Sequence, residues 1–435
     1  MWRGRRVGIG VVGRAGAFVC ATSALVLLAT LEAAPASAGA SGCTVRDSST
    51  SQIYPSLQAA VNAAVAGDAL EIAGTCAGET KVEKNLSLER ASGAGGKPTL
   101  LGRVTTSGGV TLHFTQLKLT NGFDAAEGGA IYVSGCTSTG SINGGESVAG
   151  RELALYMVSS HVTEAAIGMA GSASITKSVI SGNSGTGISV LGPLELVSST
   201  VSKNAGVGIV TAWYGASLIN SKVTGNKGGG IQAANANLYL LNSTVSGNTG
   251  AEQGGGISSG NSEVRLAGTS SVSKNSTAGT GGGIRASDWT DVTLEGSASV
   301  RQNTASADGG GIYVDENASV ALDDEASVRN NVTTARGGGI YEGVASEEGG
   351  TKVTMGGSSL VTGNKAASAG GGVYLYGPGS LLELLGLSSI KSNQAGTNGG
   401  GIYAARTAYG AAILRYGAGW EGAVSGNRPD DVFTE

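Results

Sequence analysis

The residues of this chain best suited to chemistry are carboxylates crowded into one short stretch. Asp308, Asp315, Glu316, Asp323, Asp324 and Glu325 lie close together, and Asp288, Asp291 and Glu295 precede them. Carboxylates within reach of one another can hold Ca²⁺ or share the work of an acid and a base. Asp315, Asp323 and Asp324 are the candidates for a structural calcium ion; no other cofactor is implied. The plainer expectation for the same band is a solvated acidic face. The two histidines, His113 and His161, sit in no ligand or triad spacing and read as structural. No residue is therefore assigned a catalytic role.

A second set of candidates is aromatic. Tyr313, Tyr341, Tyr374 and Tyr403 each follow an apolar residue of a recurring motif, as does Tyr132 after Ile131. Neighbouring residues of a strand face opposite ways, so if the apolar residue points inward the Tyr points outward. Four successive units would then present a Tyr column. Such a column offers area to a sugar ring or a protein at low entropic cost, or else simply stabilises the sheet by stacking. Upstream the position holds Gln232, Ser258 and Arg285, which confines the column to the C-terminal half.

The elements that must position these residues follow from the motif itself. A β-branched residue, two further residues, an Asn and then a Gly-containing turn ending in Ile or Val recur along the chain. The Asn positions are Asn183, Asn204, Asn226, Asn248, Asn275, Asn303, Asn331, Asn364 and Asn393, and Asn427 follows Val424 without a turn after it. The Asn-to-Ile gap is five residues in the first three units and nine from Asn248 onward. The units hold short Val, Ile, Thr and Ser segments between turns, not the run of about 10 to 12 residues that a repeat helix needs. Most are also too short for a four-stranded propeller blade of about 40 residues. A parallel β-helix remains, in which identical positions stack coil upon coil. The Val and Ile would form interior columns, and the Asn amides a ladder of the kind seen in cross-β assemblies. The four extra residues, as in Thr249 to Gln253, Ser276 to Thr280 and Lys365 to Ala369, would line up as a ridge. A further insert near Glu342 to Gly350 would protrude as a loop.

Ser56 to Gly67 places Leu57, Ala60, Val61 and Ala64 on one helical face, ahead of a strand at Ala69 to Ile72, and predicts a helical cap on the first coil. Pro429, Asp430 and Asp431 suit the opposite end, since Pro withholds a donor and charge discourages another strand. The organisation expected is a signal peptide over 1–38, a short segment over 39–52, the β-helix over 53–431 and a tail over 432–435. The leader rests on Arg3, Arg5, Arg6 and Arg14, the apolar stretch Ala15 to Leu31 and the small-residue site Ala36-Ser37-Ala38. Export into an oxidising compartment makes Cys43 and Cys76 a natural disulfide and leaves Cys136 odd.

The Ser56-Leu57-Gln58-Ala59-Ala60-Val61 segment with Gly67-Asp68 resembles the first coil of bacterial pectin-lyase-like right-handed β-helix proteins. The Val-x-x-Asn and Gly-Gly-Gly-Ile pairs, with Gly128-Gly129-Ala130-Ile131, look like the paired motifs of the polymorphic outer membrane protein family. The resemblance spans about residues 43 to 431 and implies an all-β, single-stranded right-handed parallel β-helix. Two departures stand out: Val or Ile replaces the Phe of the outer-membrane motif, and no segment reads as a translocating barrel. Nor is there a Gly-His-Gly with clustered Asp, a Pro-flanked Arg base or a Gly-x-x-Asp-Phe segment, the marks that the enzyme subclasses would imply. A net charge of −4 excludes a basic nucleic-acid stripe, and after the leader no apolar stretch reaches 18 residues. The expected function is a secreted or cell-surface, non-enzymatic, adhesin-like protein that binds an extracellular glycan or protein along its side. The alternative is a polysaccharide-active lyase or hydrolase with an unfamiliar acidic site.

Overall fold

The computed structural model describes residues 42–145, 152–250, 252–343, 350–408 and 410–435. The leader lies outside these residues, as does 344–349, most of the insert expected to form a loop. Each coil of the unit that begins at Ala40 lays down three short strands, to which the coils from Thr249 to Ala395 add a fourth. In one coil these are Leu194–Val197 on the first face, Thr200–Ser202 on the second and Ile209–Ala212 on the third, before Ala216–Ile219 returns to the first. Each strand pairs in parallel with its counterparts in the coils before and after, in constant register, as in Ile209↔Ile231↔Ile257↔Ile284. The strands exist because alternate residues are apolar and fully buried, among them Leu196, Val201 and Ile209. A fully buried side chain of this size contributes about 1.5–3 kcal/mol, and every coil repeats several of them.

From Asn204 to Asn427 the Asn side chains bond from coil to coil as their spacing predicts, while Asn183 joins the ladder through its backbone N–H alone. Asn303 Nδ2 donates to Asn331 Oδ1 at 3.0 Å and to the Val272 carbonyl at 3.0 Å, while its Oδ1 accepts from the Asn275 backbone N–H at 2.9 Å. The ladder ends on Asp431, whose Oδ1 accepts from Asn427 N and Nδ2, both at 2.9 Å, as a following Asn would. The terminator expected from charge thus also works as a hydrogen-bond acceptor. A second buried ladder runs at the corner between the first and second faces, where Ser178, Ser199, Ser221 and Ser243 each receive the backbone N–H of the preceding Ser at 3.0–3.1 Å.

The Gly triplets serve two different needs. Gly309 turns the corner at φ 73°, which L side chains seldom adopt. At Gly311 a Cβ would meet the Gly339 carbonyl at 2.5 Å and the ladder amide of Asn331 at 2.8 Å, so the triplet ends in Gly to admit the Asn. Gly311→Ala should therefore lower stability by about 1–3 kcal/mol in denaturant unfolding, the usual cost of overpacking a tight site.

At the N-terminal end Leu57–Ala63 form a helix whose cap, Ser56, accepts from Ala59 N at 3.2 Å; Leu57, Ala60 and Val61 are buried. Thr44–Asp47 pair antiparallel with Ala69–Ala73, and Cys43 is bonded to Cys76. Residues 432–435, expected as a tail, instead supply a strand: Val432–Thr434 pair with Ile402–Ala404 on the third face.

Candidate functional site

The structure reverses the exposure expected of the Tyr column. Tyr313, Tyr341, Tyr374 and Tyr403 do point away from the main core and stack in register, with ring centroids 5.0, 5.1 and 4.9 Å apart, and Phe433 continues the stack. Yet Tyr341, Tyr374 and Tyr403 are only 3%, 6% and 9% exposed. The cause is the four-residue insert. It forms a narrow fourth sheet, with strands such as Ser276–Thr277, Thr304–Ala305, Val332–Thr333 and Lys365–Ala366, and together with Ala369 and Ala405 encloses a small second core over the rings. Arg336 lies 5.2 Å from the centroids of both Tyr341 and Tyr374, and its Nη2 donates to Asp308 at 2.8 Å. Burial pushes the Tyr341 and Tyr374 hydroxyls up. These rings hold the ridge to the solenoid and are not a free surface.

Exposed aromatic groups gather elsewhere, on the first face and the corner that feeds it. The outward position of that face holds His113, Tyr132 and Tyr156 in consecutive coils. His113 stacks on Tyr132 at 4.4 Å and Tyr132 on Tyr156 at 4.8 Å, with Tyr156 41% exposed. Beyond Tyr156 the column shrinks to Ser174, Glu195 and Ser217, leaving a shallow concavity of about 330 Å³ lined also by Ser172 and Pro193. Ser174 Oγ donates to Glu195 at 3.2 Å within it.

The corner between the third and first faces carries Trp213 and Tyr214, 68% and 63% exposed, and Trp289, 62% exposed. Strand register places Trp213, Asn235, Asn261, Asp288 and Glu316 at one position of five successive coils. All five adopt φ between 51° and 74°. Asn and Asp tolerate this left-handed conformation, whereas for a bulky side chain it is an outlier.

The carboxylates divide between corners. Asp315 and Glu316 lie at the corner just described, but the strand Ser319–Leu322 separates them from Asp323 and Asp324. Asp324 Oδ2 accepts from the Gly296 N–H at 2.9 Å and so secures a turn. The three residues expected to share a cation do not converge. Among the described residues no group of three or more His, Cys, Asp or Glu is placed to hold a metal ion. What does assemble is a smaller cluster. Asp315 lies 3.5 Å from Arg285, and burial raises its pKa against that attraction. Glu316 is hydrogen-bonded to Asp288, which, with burial, pushes its carboxyl up to about 7.

His161 is exposed on the second face, 3.4 Å from Ser181 Oγ. Cys136 is buried, accepts from the Leu117 N–H at 3.4 Å and has its thiol pKa raised by burial, which removes it from crosslinking.

The family model described as right handed beta helix region matches residues 192–347. The crystal structure of the periplasmic alginate epimerase AlgG is similar at 11% identity and a TM-score of 0.37, over 80% of this chain and 84% of that one. No curated protein matches the sequence. With parallel strands, stacked coils and one capping helix among the described residues, the fold is an all-β, right-handed parallel β-helix solenoid.

Proposed function

We propose that this protein is a non-enzymatic, secreted or surface-exposed solenoid that binds an extracellular glycan through its first face and the adjoining corner. The observation that carries this reading is the segregation of aromatic groups. Tyr341, Tyr374 and Tyr403 of the third face are buried under the ridge, while His113, Tyr132, Tyr156, Trp213, Tyr214 and Trp289 stand on the first face and its adjoining corner, with Tyr156 lining a shallow concavity. Ring faces bury sugar C–H surface, and the serines and Glu195 beside Tyr156 offer hydrogen bonds to hydroxyl groups. The Cys43–Cys76 disulfide agrees with an oxidising location.

The double substitution Tyr132→Ala with Tyr156→Ala should weaken glycan binding about tenfold or more, given what ring contacts contribute. Both side chains are substantially exposed, so the thermal unfolding midpoint should barely move. Unchanged affinity on a glycan array would remove this face from the account.

One observation favours a polysaccharide-active enzyme as a second reading: Glu316, beside Asp288 and exposed Trp289, has its carboxyl pKa raised by that neighbour and by burial, the direction a general acid requires. That reading expects new reducing or unsaturated ends from a bound polysaccharide, and their loss on Glu316→Gln.

A further inference from the structure

We propose that the corner from Trp213 to Trp289 is a subsite for an uncharged polysaccharide chain lying along the solenoid axis. The inference rests on the glycan-binding reading above and names the ligand class.

Three observations converge on it. The first is placement. Trp213 and Trp289 belong to turns three coils apart, which at the spacing of parallel strands separates them by about 14 Å. That span fits several sugar units of one chain better than a single ring. The second is what lies between them. Asn235, Asn237 and Asn261 are exposed, and Asn261 Nδ2 donates to Asn235 Oδ1 at 2.7 Å. Side-chain amides between two exposed indoles supply both donors and acceptors for hydroxyl or acetamido groups. The third is charge. The segments 213–215, 235–237, 261–263 and 288–289 contain no Lys or Arg and carry Glu263 and Asp288. The nearby Arg285 is engaged by Asp315. A polyuronate would bring carboxylates against carboxylates, whereas a neutral chain meets no such repulsion.

The backbone adds a reason to regard Trp213 as selected for contact. Its neighbours in the left-handed column are Asn235 and Asn261, which accept that conformation readily, while Trp213 adopts it at φ 74°. Trp213→Asn should therefore raise the unfolding midpoint and lower affinity together. A residue kept only for folding cannot give that combination.

The test uses the purified full-length protein in affinity electrophoresis and calorimetry. The probes are neutral β-glucan, mannan and N-acetylated chitin oligosaccharides, set against polygalacturonate oligosaccharides of equal length. The expected result is binding of at least one neutral series and little of the polyuronate. Trp213→Asn and Trp289→Ala should each weaken binding about tenfold. Neutral-glycan binding that survives both substitutions but fails with Tyr132→Ala and Tyr156→Ala would overturn the corner and leave the first-face reading standing. Preference for the polyuronate would overturn the charge argument and with it the proposal. Binding of a protein and no glycan, or of nothing in the panel, would overturn the proposal together with the reading beneath it.

Discussion

Replacing Asn303 by Ala should destabilise the solenoid by about 3–5 kcal/mol, because a buried polar group stripped of its partner costs about 1–3 kcal/mol and this change strips more than one. Asn303 is fully buried. Its Oδ1 receives both the backbone N–H and the side-chain amide of Asn275, at 2.9 and 3.1 Å. Its own amide satisfies the Val272 carbonyl and Asn331 Oδ1. Ala would leave two donors of Asn275 without an acceptor in a dry interior, and the gap would be too small to admit water easily. Asn303→Asp should fare no better, since it keeps the acceptor but loses the donor and adds a buried charge. Asp431→Asn is the contrasting case. Asp431 meets Asn427 only as an acceptor, and its position is exposed, so this change should cost under about 1 kcal/mol. Denaturant midpoints of the three variants decide the point; comparable losses at Asn303 and Asp431 would contradict the ladder as the main polar support.

Glu342 should make stability depend on pH in the direction opposite to that of a salt-bridged carboxylate. Its side chain points into the lumen at a position held by Val314 one coil earlier and Leu375 one coil later. It is fully buried; Oε1 accepts from the Leu381 N–H at 3.1 Å, and Oε2 has no partner among the described residues. Burial raises its pKa well above the ordinary value of 4.5. The folded protein therefore keeps a proton that the unfolded chain loses above pH 4.5. The stability that this proton represents is complete below that pH and is lost progressively as pH climbs from there toward the folded pKa. Glu342→Gln keeps an oxygen for Leu381, cannot ionise and should flatten this dependence. At pH 8 it should exceed the parent by about 1–3 kcal/mol, the cost of an unsatisfied buried group. Parallel unfolding curves at pH 5 and pH 8 for parent and variant would show the effect; identical slopes against pH would exclude it.

The parts of this molecule that could be read from its sequence are those that repeat. Asn183 through Asn427 recur with apolar residues at fixed offsets, and in a stacked coil a fixed offset means a fixed place, so the ladder, the core columns and the ridge were all legible. The helix at Leu57–Ala63 was legible from its amphipathic face. The orientation of Tyr313, Tyr341, Tyr374 and Tyr403 was legible too, but not their burial. Burial depends on how the inserts fold back, and Thr304–Ala305 or Val332–Thr333 alone give no sign that they will form a sheet over the rings. The stack His113–Tyr132–Tyr156 escaped for a related reason. Its members are 19 and 24 residues apart in coils without the Asn motif, and only strand register brings them together. The separation of Asp315 from Asp323 and Asp324 was hidden by their nearness in sequence, since one four-residue strand carries the chain from one corner to the next.

Glycan binding without turnover is the behaviour to be measured first. Purified protein would be screened on a glycan array, and each polysaccharide that binds would then be incubated with it and examined for new reducing or unsaturated ends. The account predicts binding that is lost when the first-face and corner rings are removed, and no products. New chain ends that disappear with Glu316→Gln would contradict it and make the Asp288–Glu316 pair a catalytic site. No binding to any glycan would contradict it as well.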